Sequence, residues 1–315
     1  MVVVGTWNLE NLFRPGGEFG PTDDAAFRAK LAAIADTISQ LAPDVLGGAG
    51  GRRVCGTERP CRLLPGDWHT AVSSFPDSSG IRVGFLSRHP LGVVADAADF
   101  PEALAPFQAD DSGALTTRMG RGALAVSVEP VSGLMLTVVT CHLKSKLLTF
   151  PSGRFSPHDE GERARYGAYA LYRRAAEAVT IRDLADQLID GHGQDRPVIV
   201  LGDLNDDPQA GSTQILLGPP GSELGTAGAN RPDLGDAWRL WNLAPLLPAD
   251  QQYSRIYRGR GELIDHILIS HALVDRVEQV RSIVGRPLPS IEDNPNERRD
   301  AFDSDHAPVL VQLRT

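Results

Sequence analysis

Val198-Ile199-Val200-Leu201-Gly202-Asp203-Leu204-Asn205 is a run of four apolar, mostly β-branched residues that ends in a glycine, a carboxylate and an amide. Such a run predicts a short buried strand, and Gly-Asp predicts the turn that closes it. Asp203 and Asn205 are two apart, so they share one face if the strand geometry persists. Taken alone, Asp and Asn after a strand are ordinary turn residues. The pattern recurs, however. Val2-Val3-Val4 leads to Thr6-Trp7-Asn8-Leu9-Glu10, Leu134 to Cys141 leads to His142-Leu143-Lys144-Ser145-Lys146, and Ile264 to Ile269 contains Asp265-His266. Pro308 to Leu313 follows Ser304-Asp305-His306, and Ile81 to Leu86 adds a sixth strand-like run. Polar groups gathered at strand ends are what a site at the rim of stacked sheets requires.

Between the strand runs lie two helical patterns. Phe27, Leu31, Ile34, Ile38 and Leu41 alternate spacings of four and three over Asp24 to Leu41, which is one apolar stripe. From Glu160 to Ile189 the chain is rich in Ala and Arg, and Leu171, Ala175, Val179, Leu184 and Leu188 are expected to face the core. Gly- and Pro-rich stretches at Gly218 to Gly228 and Arg286 to Pro295 read as surface connections. With 315 residues, 42% of them hydrophobic, and no break in composition, the chain is read as a single domain, 1–315.

A net charge of −9 excludes a protein that holds long nucleic acid by phosphate neutralisation alone, although a local basic patch remains compatible. No apolar stretch is long enough to span a bilayer and no basic leader precedes Val2, so the expectation is a cytoplasmic monomer. Cys55, Cys61 and Cys141 cannot all pair and lack zinc-site spacing, which fits reduced thiols.

Hydrolysis of a phosphodiester needs a cation to gather charge, a base for water, and donors for the phosphoryl oxygens. Magnesium suits the first role, since it takes oxygen ligands and asks the protein for only a few. The motifs Thr6-Trp7-Asn8, His142-Leu143-Lys144-Ser145-Lys146, Gly202-Asp203-Leu204-Asn205, Ile264-Asp265-His266-Ile267-Leu268 and Ser304-Asp305-His306 together resemble the endonuclease/exonuclease/phosphatase family, which shares its fold with DNase I-like nucleases. The resemblance spans nearly the whole chain. It implies an α/β, four-layer α/β/β/α sandwich of two packed mixed β-sheets flanked by helices, with a Mg²⁺ site at one sheet edge and Mn²⁺ as a substitute. By the same resemblance Asp305 and Asn8 serve the metal. His306 is the base or a phosphate-contacting imidazole, oriented by Asp265, and Asp203 positions the attacking water. Asn205, His142, Lys144 and Asn8 hold phosphate oxygens.

One departure stands out. After Pro43-Asp44-Val45-Leu46 the family pattern continues to Gln-Glu, the Glu being a metal ligand, whereas this chain reads Gly47-Gly48-Ala49-Gly50-Gly51-Arg52-Arg53, with Gly50 at the Glu position. Losing that carboxylate is expected to weaken charge stabilisation by about 3 kcal/mol, and Glu10 is the candidate to cover part of the loss. Codons for Gly-Gly-Ala-Gly-Gly displaced by one base can spell Ala-Val-Gln-Glu-Val. Gly47 to about Arg62 is therefore either a compensated frameshift or a true Gly-rich loop, and the nucleotide sequence decides.

The resemblance implies a nucleic acid or a phosphorylated small molecule as substrate. Lys144, Lys146, Arg154, Arg255, Arg258 and Arg260 suit a phosphate backbone, and Tyr253 and Tyr257 suit base stacking. Arginines between 163 and 182 are expected to lie on a solvated helix face paired with Glu160, Glu162 and Glu177. The His-Leu-Lys-Ser-Lys form favours a nuclease. Two readings follow: a metal-dependent phosphodiesterase, most simply an endo- or exonuclease, or a relative that has lost catalysis and binds through the old cleft.

Overall fold

The computed structural model describes residues 1–10, 12–17, 20–49, 63–226, 229, 231–282 and 287–315. Gly50, Cys55, Cys61 and the segment in which a frameshift was considered, beyond Ala49, lie outside the described residues, as does part of the Gly218 to Gly228 stretch.

Twelve strands build two six-stranded sheets. They are β1 (Val2–Asn8), β2 (Val45–Ala49), β3 (His69–Val72), β4 (Val83–Ser87), β5 (Leu91–Asp99), β6 (Arg118–Val131), β7 (Leu134–His142), β8 (Val198–Asp203), β9 (Trp241–Asn242), β10 (Asp265–Ile269), β11 (Val277–Ser282) and β12 (Val309–Leu313). The first sheet runs β11-β12-β1-β2-β4-β3 and the second β9-β10-β8-β7-β6-β5. Each is mixed: β1 pairs parallel with β2 but antiparallel with β12, and β8 pairs parallel with β7 but antiparallel with β10. Alternate side chains of the two sheets, among them Val4, Val45 and Phe85 from one and Leu136, Val138, Ile199 and Leu201 from the other, meet in the central core.

Helices cover the outer faces. Helix α1 (Asp24–Leu41) is the crossover between the parallel strands β1 and β2. It starts where Asp23 accepts the Ala26 N–H at 2.8 Å, and ends at Ala42 in a left-handed conformation before Pro43. The predicted stripe is the buried one: Leu31, Ile34, Ile38 and Leu41 are buried, with Phe27 partly so, against Trp7, Leu46 and Leu86. Helix α2 (Glu160–Ile189), capped by Asp159 on the Glu162 N–H at 2.8 Å, lies on the second sheet, where Ala178, Ile181 and Ala185 pack on Ala125, Val139 and Val200. A short α3 (Gly211–Leu217) completes that layer. The order is α/β/β/α, as the motifs implied.

Three expectations change. The inner face of α2 agrees with the predicted one only toward its C-terminal end, where Leu184 is buried and Leu188 partly so, whereas Leu171 is 47% exposed and the unforeseen Ile181 is fully buried. Ala170, Arg174, Glu177 and Ala178 turn inward instead, so Arg174 and Arg182 are buried and not on a solvated face. The stretch Arg286 to Pro295 contains a short strand, Ser290–Ile291, paired with Ile256 and Tyr257. Strands β5 and β6 were not foreseen, because the face they turn to α2 is made of Ala95, Ala97, Ala123 and Ala125, small residues with weak strand preference that let the helix approach. Among the described residues no helix is long and apolar enough to cross a membrane.

Candidate functional site

Register brings the polar strand ends together. Asp203, the last residue of β8, is the direct partner of Asp265 on β10 and of His142 on β7. From the other sheet, Asn8 ends β1 and His306 precedes β12, its neighbour in the sheet. The Asp203 turn depends on backbone that few residues tolerate. Gly202 has φ 151°, and a Cβ there would lie 2.0 Å from the Cys141 carbonyl oxygen. Asn205, at φ 54°, is left-handed, which asparagine accepts more readily than most residues.

Asp203 is the hub. Its Oδ2 accepts from Asn8 Nδ2 at 2.9 Å and faces His142 Nε2 at 3.4 Å and His306 Nε2 at 3.8 Å. Its Oδ1 accepts the Asn205 N–H at 2.9 Å. His306 Nδ1 lies 2.6 Å from Asp265 Oδ2, so the expected orienting pair is formed. All of these side chains except Asn8, which is half-buried, are buried.

The two imidazoles are tuned in opposite directions. Burial, helped by Arg121, pushes His142 down to about 3, so it is neutral. Burial also disfavours charge on His306, but the carboxylates of Asp265, Asp305 and Asp203 outweigh it and push the ring up to about 10. Two like charges directly opposed across a ladder, as Asp203 and Asp265 are, repel each other, and the imidazolium between them offsets that repulsion.

Three buried carboxylates around one imidazolium leave an excess of negative charge. Asp265 Oδ1 and Asp305 Oδ1 are buried without a hydrogen-bond partner among the described residues, a condition that is costly unless a cation completes it. Ligand atoms of Asp203, Asp265 and His306 lie within 4.8 Å of one another, and Asp305 Oδ1 is 4.0 Å from His306 Nε2. The donor set is oxygen-rich and suits a hard divalent ion. Asn8, expected near the metal, turns its nitrogen to Asp203 and accepts the Glu10 N–H through its oxygen at 3.1 Å.

Glu10 is not free to replace a missing ligand. Arg298 donates to both its oxygens at 3.0 Å, and Asp305 N–H reaches Oε2 at 3.1 Å. Lys144 is beside the site, but its ammonium bonds the Leu147 and Ser145 carbonyls at 2.8 and 3.1 Å, and burial and Arg173 lower its pKa to about 8. Asn205 gives one amide hydrogen to the Leu143 carbonyl at 2.9 Å, leaving the other for a ligand. Asp206, Arg174 and Glu177 brace the strand-end loops from behind, a role the sequence did not reveal, since it placed Arg174 and Glu177 on a solvated helix face. The only signal was charge at helical spacing, which a solvated face shows equally well.

The model of the endonuclease/exonuclease/phosphatase family matches residues 5–306. No curated protein matches the sequence. Solved structures do match the fold. A mannosyl-6-phosphatase from Bacteroides thetaiotaomicron is 14% identical with a TM-score of 0.56, each chain covered over 100% of its length. The human Nocturnin catalytic domain, solved with a bound sulfate anion, is 18% identical with a TM-score of 0.55, covering 99% of this chain and 94% of that one. Truncated TDP2 from Caenorhabditis elegans is 15% identical with a TM-score of 0.56, over 100% and 98%. At these identities the likeness shows the fold alone. The motif-bearing strand ends and the match over nearly the full length place the chain in the endonuclease/exonuclease/phosphatase family of divalent-metal-dependent phosphoesterases.

Proposed function

We propose that the chain is a Mg²⁺-dependent phosphodiesterase, most simply a nuclease acting on DNA or RNA, working as one domain over residues 1–315. The observation that carries this reading is the convergence on Asp203 Oδ2 of Asn8, His142 and His306 from three different strand ends. Asp305 would hold the ion with Asn8 beside it, and the ion, when bound, supplies positive charge to the phosphoryl oxygens. Manganese is an expected substitute.

The chain's own groups supply the rest. Asp203 orients the attacking water and takes its proton, its geometry fixed by Asn8 and the Asn205 N–H. His306, locked by Asp265 on one nitrogen, presents the other to a phosphoryl oxygen. Neutral His142 and the second amide hydrogen of Asn205 are donors to the remaining oxygens, each of the kind whose loss costs roughly 10²–10³ in rate. A phosphomonoesterase uses the same groups, so the substrate distinction rests on the His-Leu-Lys-Ser-Lys motif and needs its own assay.

The test is hydrolysis of bis(p-nitrophenyl) phosphate, p-nitrophenyl phosphate, plasmid DNA and RNA with Mg²⁺ or Mn²⁺, comparing the chain with Asp203→Ala and Gly50→Glu. Metal-dependent diester cleavage that Asp203→Ala abolishes supports the reading. An inert chain that Gly50→Glu revives places the lesion at that one position. If chain and Gly50→Glu variant are both inert on every substrate, the phosphodiesterase reading fails and a binding role through the cleft takes its place.

A further inference from the structure

Beside the site stands a small sheet that the catalytic reading does not use. Arg255–Tyr257 pairs antiparallel with Arg260–Glu262 and parallel with Ser290–Ile291. Its first residue, Arg255, also forms an isolated antiparallel bridge with His306, and the Ala307 N–H bonds the Ser254 carbonyl at 2.7 Å. Residues directly opposed in an antiparallel pair project to the same side, so Arg255 emerges next to the imidazole that faces Asp203.

Its surroundings set it apart from the other arginines of the rim. Arg258 pairs with Asp293 at the exposed end of the hairpin, whereas the Arg255 side chain is only 15% exposed and is anchored at one end, Nη2 to Glu262 Oε2 at 2.7 Å. Its Nε is buried and has no hydrogen-bond partner among the described residues. Burial disfavours the guanidinium charge, yet Glu262, Asp203 and Asp305 more than compensate, so this cation feels the carboxylates of the site. Glu262 also lies 3.9 Å from Lys146 Nζ, which ties the hairpin to the loop after His142. The hairpin itself is held in place, since Tyr257 lies beneath both Arg255 and Arg258 and bonds Asp293 at 2.5 Å.

We propose that Arg255 is a substrate-contacting residue whose guanidinium, positioned by Glu262, binds a phosphoryl oxygen beside His306. The unpaired N–H is then a donor awaiting its acceptor, and the planar fork matches the geometry of a phosphoryl group as an ammonium does not. The proposal rests on the phosphoesterase reading.

Inorganic phosphate is the probe. Its binding to the full chain is measured by calorimetry with and without Mg²⁺, alongside Michaelis kinetics on the diester, for Arg255→Met, Arg255→Lys and Glu262→Gln. Arg255→Met is expected to weaken phosphate binding and to raise KM at least tenfold. Arg255→Lys should be intermediate, and Glu262→Gln should cost a few-fold, mainly in KM. Circular dichroism and Tm report folding. If Arg255→Met fails to fold, Arg255→Lys keeps the charge, and wild-type affinity in it overturns the proposal. A folded Arg255→Met with wild-type affinity and KM overturns it too, while a wild type that hydrolyses diesters leaves the parent reading standing. If neither the wild type nor Gly50→Glu binds phosphate or cleaves any ester, both readings are overturned.

Discussion

Asp203 and His142 stand on strands whose end loops are tied to α2 by buried and part-buried hydrogen bonds, whereas Asn8 and Asp305 are set by ion pairs around Glu10. In the first region Arg174 donates to Asp206 at 3.0 Å and to the Lys144 carbonyl at 3.1 Å, and Glu177 accepts the Lys144 N–H at 2.5 Å and the Gly120 N–H at 2.9 Å. Ser212 and His266 complete the brace on Asp206 at 2.7 and 2.8 Å. In the second region Arg298 and Lys30 face Glu10, Asp303 and Asp305, and burial followed by the Asp305 charge raises the Glu10 pKa despite both cations. One half of the site is fixed by geometry, its bracing carboxylates Asp206 and Glu177 hydrogen-bonded, although His142 Nδ1 is buried without a partner among the described residues. The other is a balance of charges with anion in excess, which is where a cation has most to contribute.

The largest effect belongs to the hub that joins the two halves. Asp203→Asn keeps the shape but removes the carboxylate, and it is expected to lower kcat/KM by roughly 10³-fold, about 4 kcal/mol, with little change in urea midpoint. An equal loss of stability would mean that Asp203 serves the fold instead.

Breaking each half from behind sharpens the contrast. Arg174→Met leaves Asp206 buried without its cation and should destabilise by about 3–5 kcal/mol. Arg298→Met should cost less, roughly 1–2 kcal/mol, because Lys30 still faces Glu10 and the Arg298 side chain keeps 17% of its surface in water against 8% for Arg174. Urea unfolding of both variants checks the order, and equal losses would erase the distinction between a braced half and a charge-balanced one.

A third prediction concerns pH. His142 titrates at about 3 when folded, against an ordinary value of 6.5. Below 6.5 the unfolded chain takes up a proton that the folded chain refuses. The contribution of His142 is therefore complete above 6.5 and is lost as pH falls toward 3, with a limiting slope of about 1.4 kcal/mol per pH unit. Urea midpoints from about pH 5.5 to 4.5, where His306 is protonated in both folded and unfolded chains, should show this slope, and His142→Gln should flatten it.

The two halves also differed in how well the sequence announced them. Asp203, His142, Asp265 and His306 could be read because each follows or begins a β-branched run, and a strand end fixes a side chain's place to within a residue. Helix α1 was equally plain, since its stripe is apolar throughout. The brace was hidden, because Arg174 and Glu177 point inward from a helix whose charges look solvated until the partner loops are placed across it. The ion-pair cluster was hidden for a different reason: Glu10 and Arg298 lie 288 positions apart, and no local pattern links them.

Helix α2 gives the smallest and sharpest test of that lesson. Periodicity alone put Leu171 in the core, but in the fold Ala170 and Arg174 take the inward positions and Leu171 lies about 100° around the helix from Ala170. Ile181, two turns on from Arg174, is fully buried against the second sheet. Ile181→Ala should then cost about 2–5 kcal/mol through lost burial and the cavity left behind, whereas Leu171→Ala should change stability by less than about 0.5 kcal/mol. Comparable losses at the two positions would mean that α2 is rotated back toward its apolar residues. Arg174 and Glu177 would then turn to water, and the brace behind His142 and Asp203 would not exist.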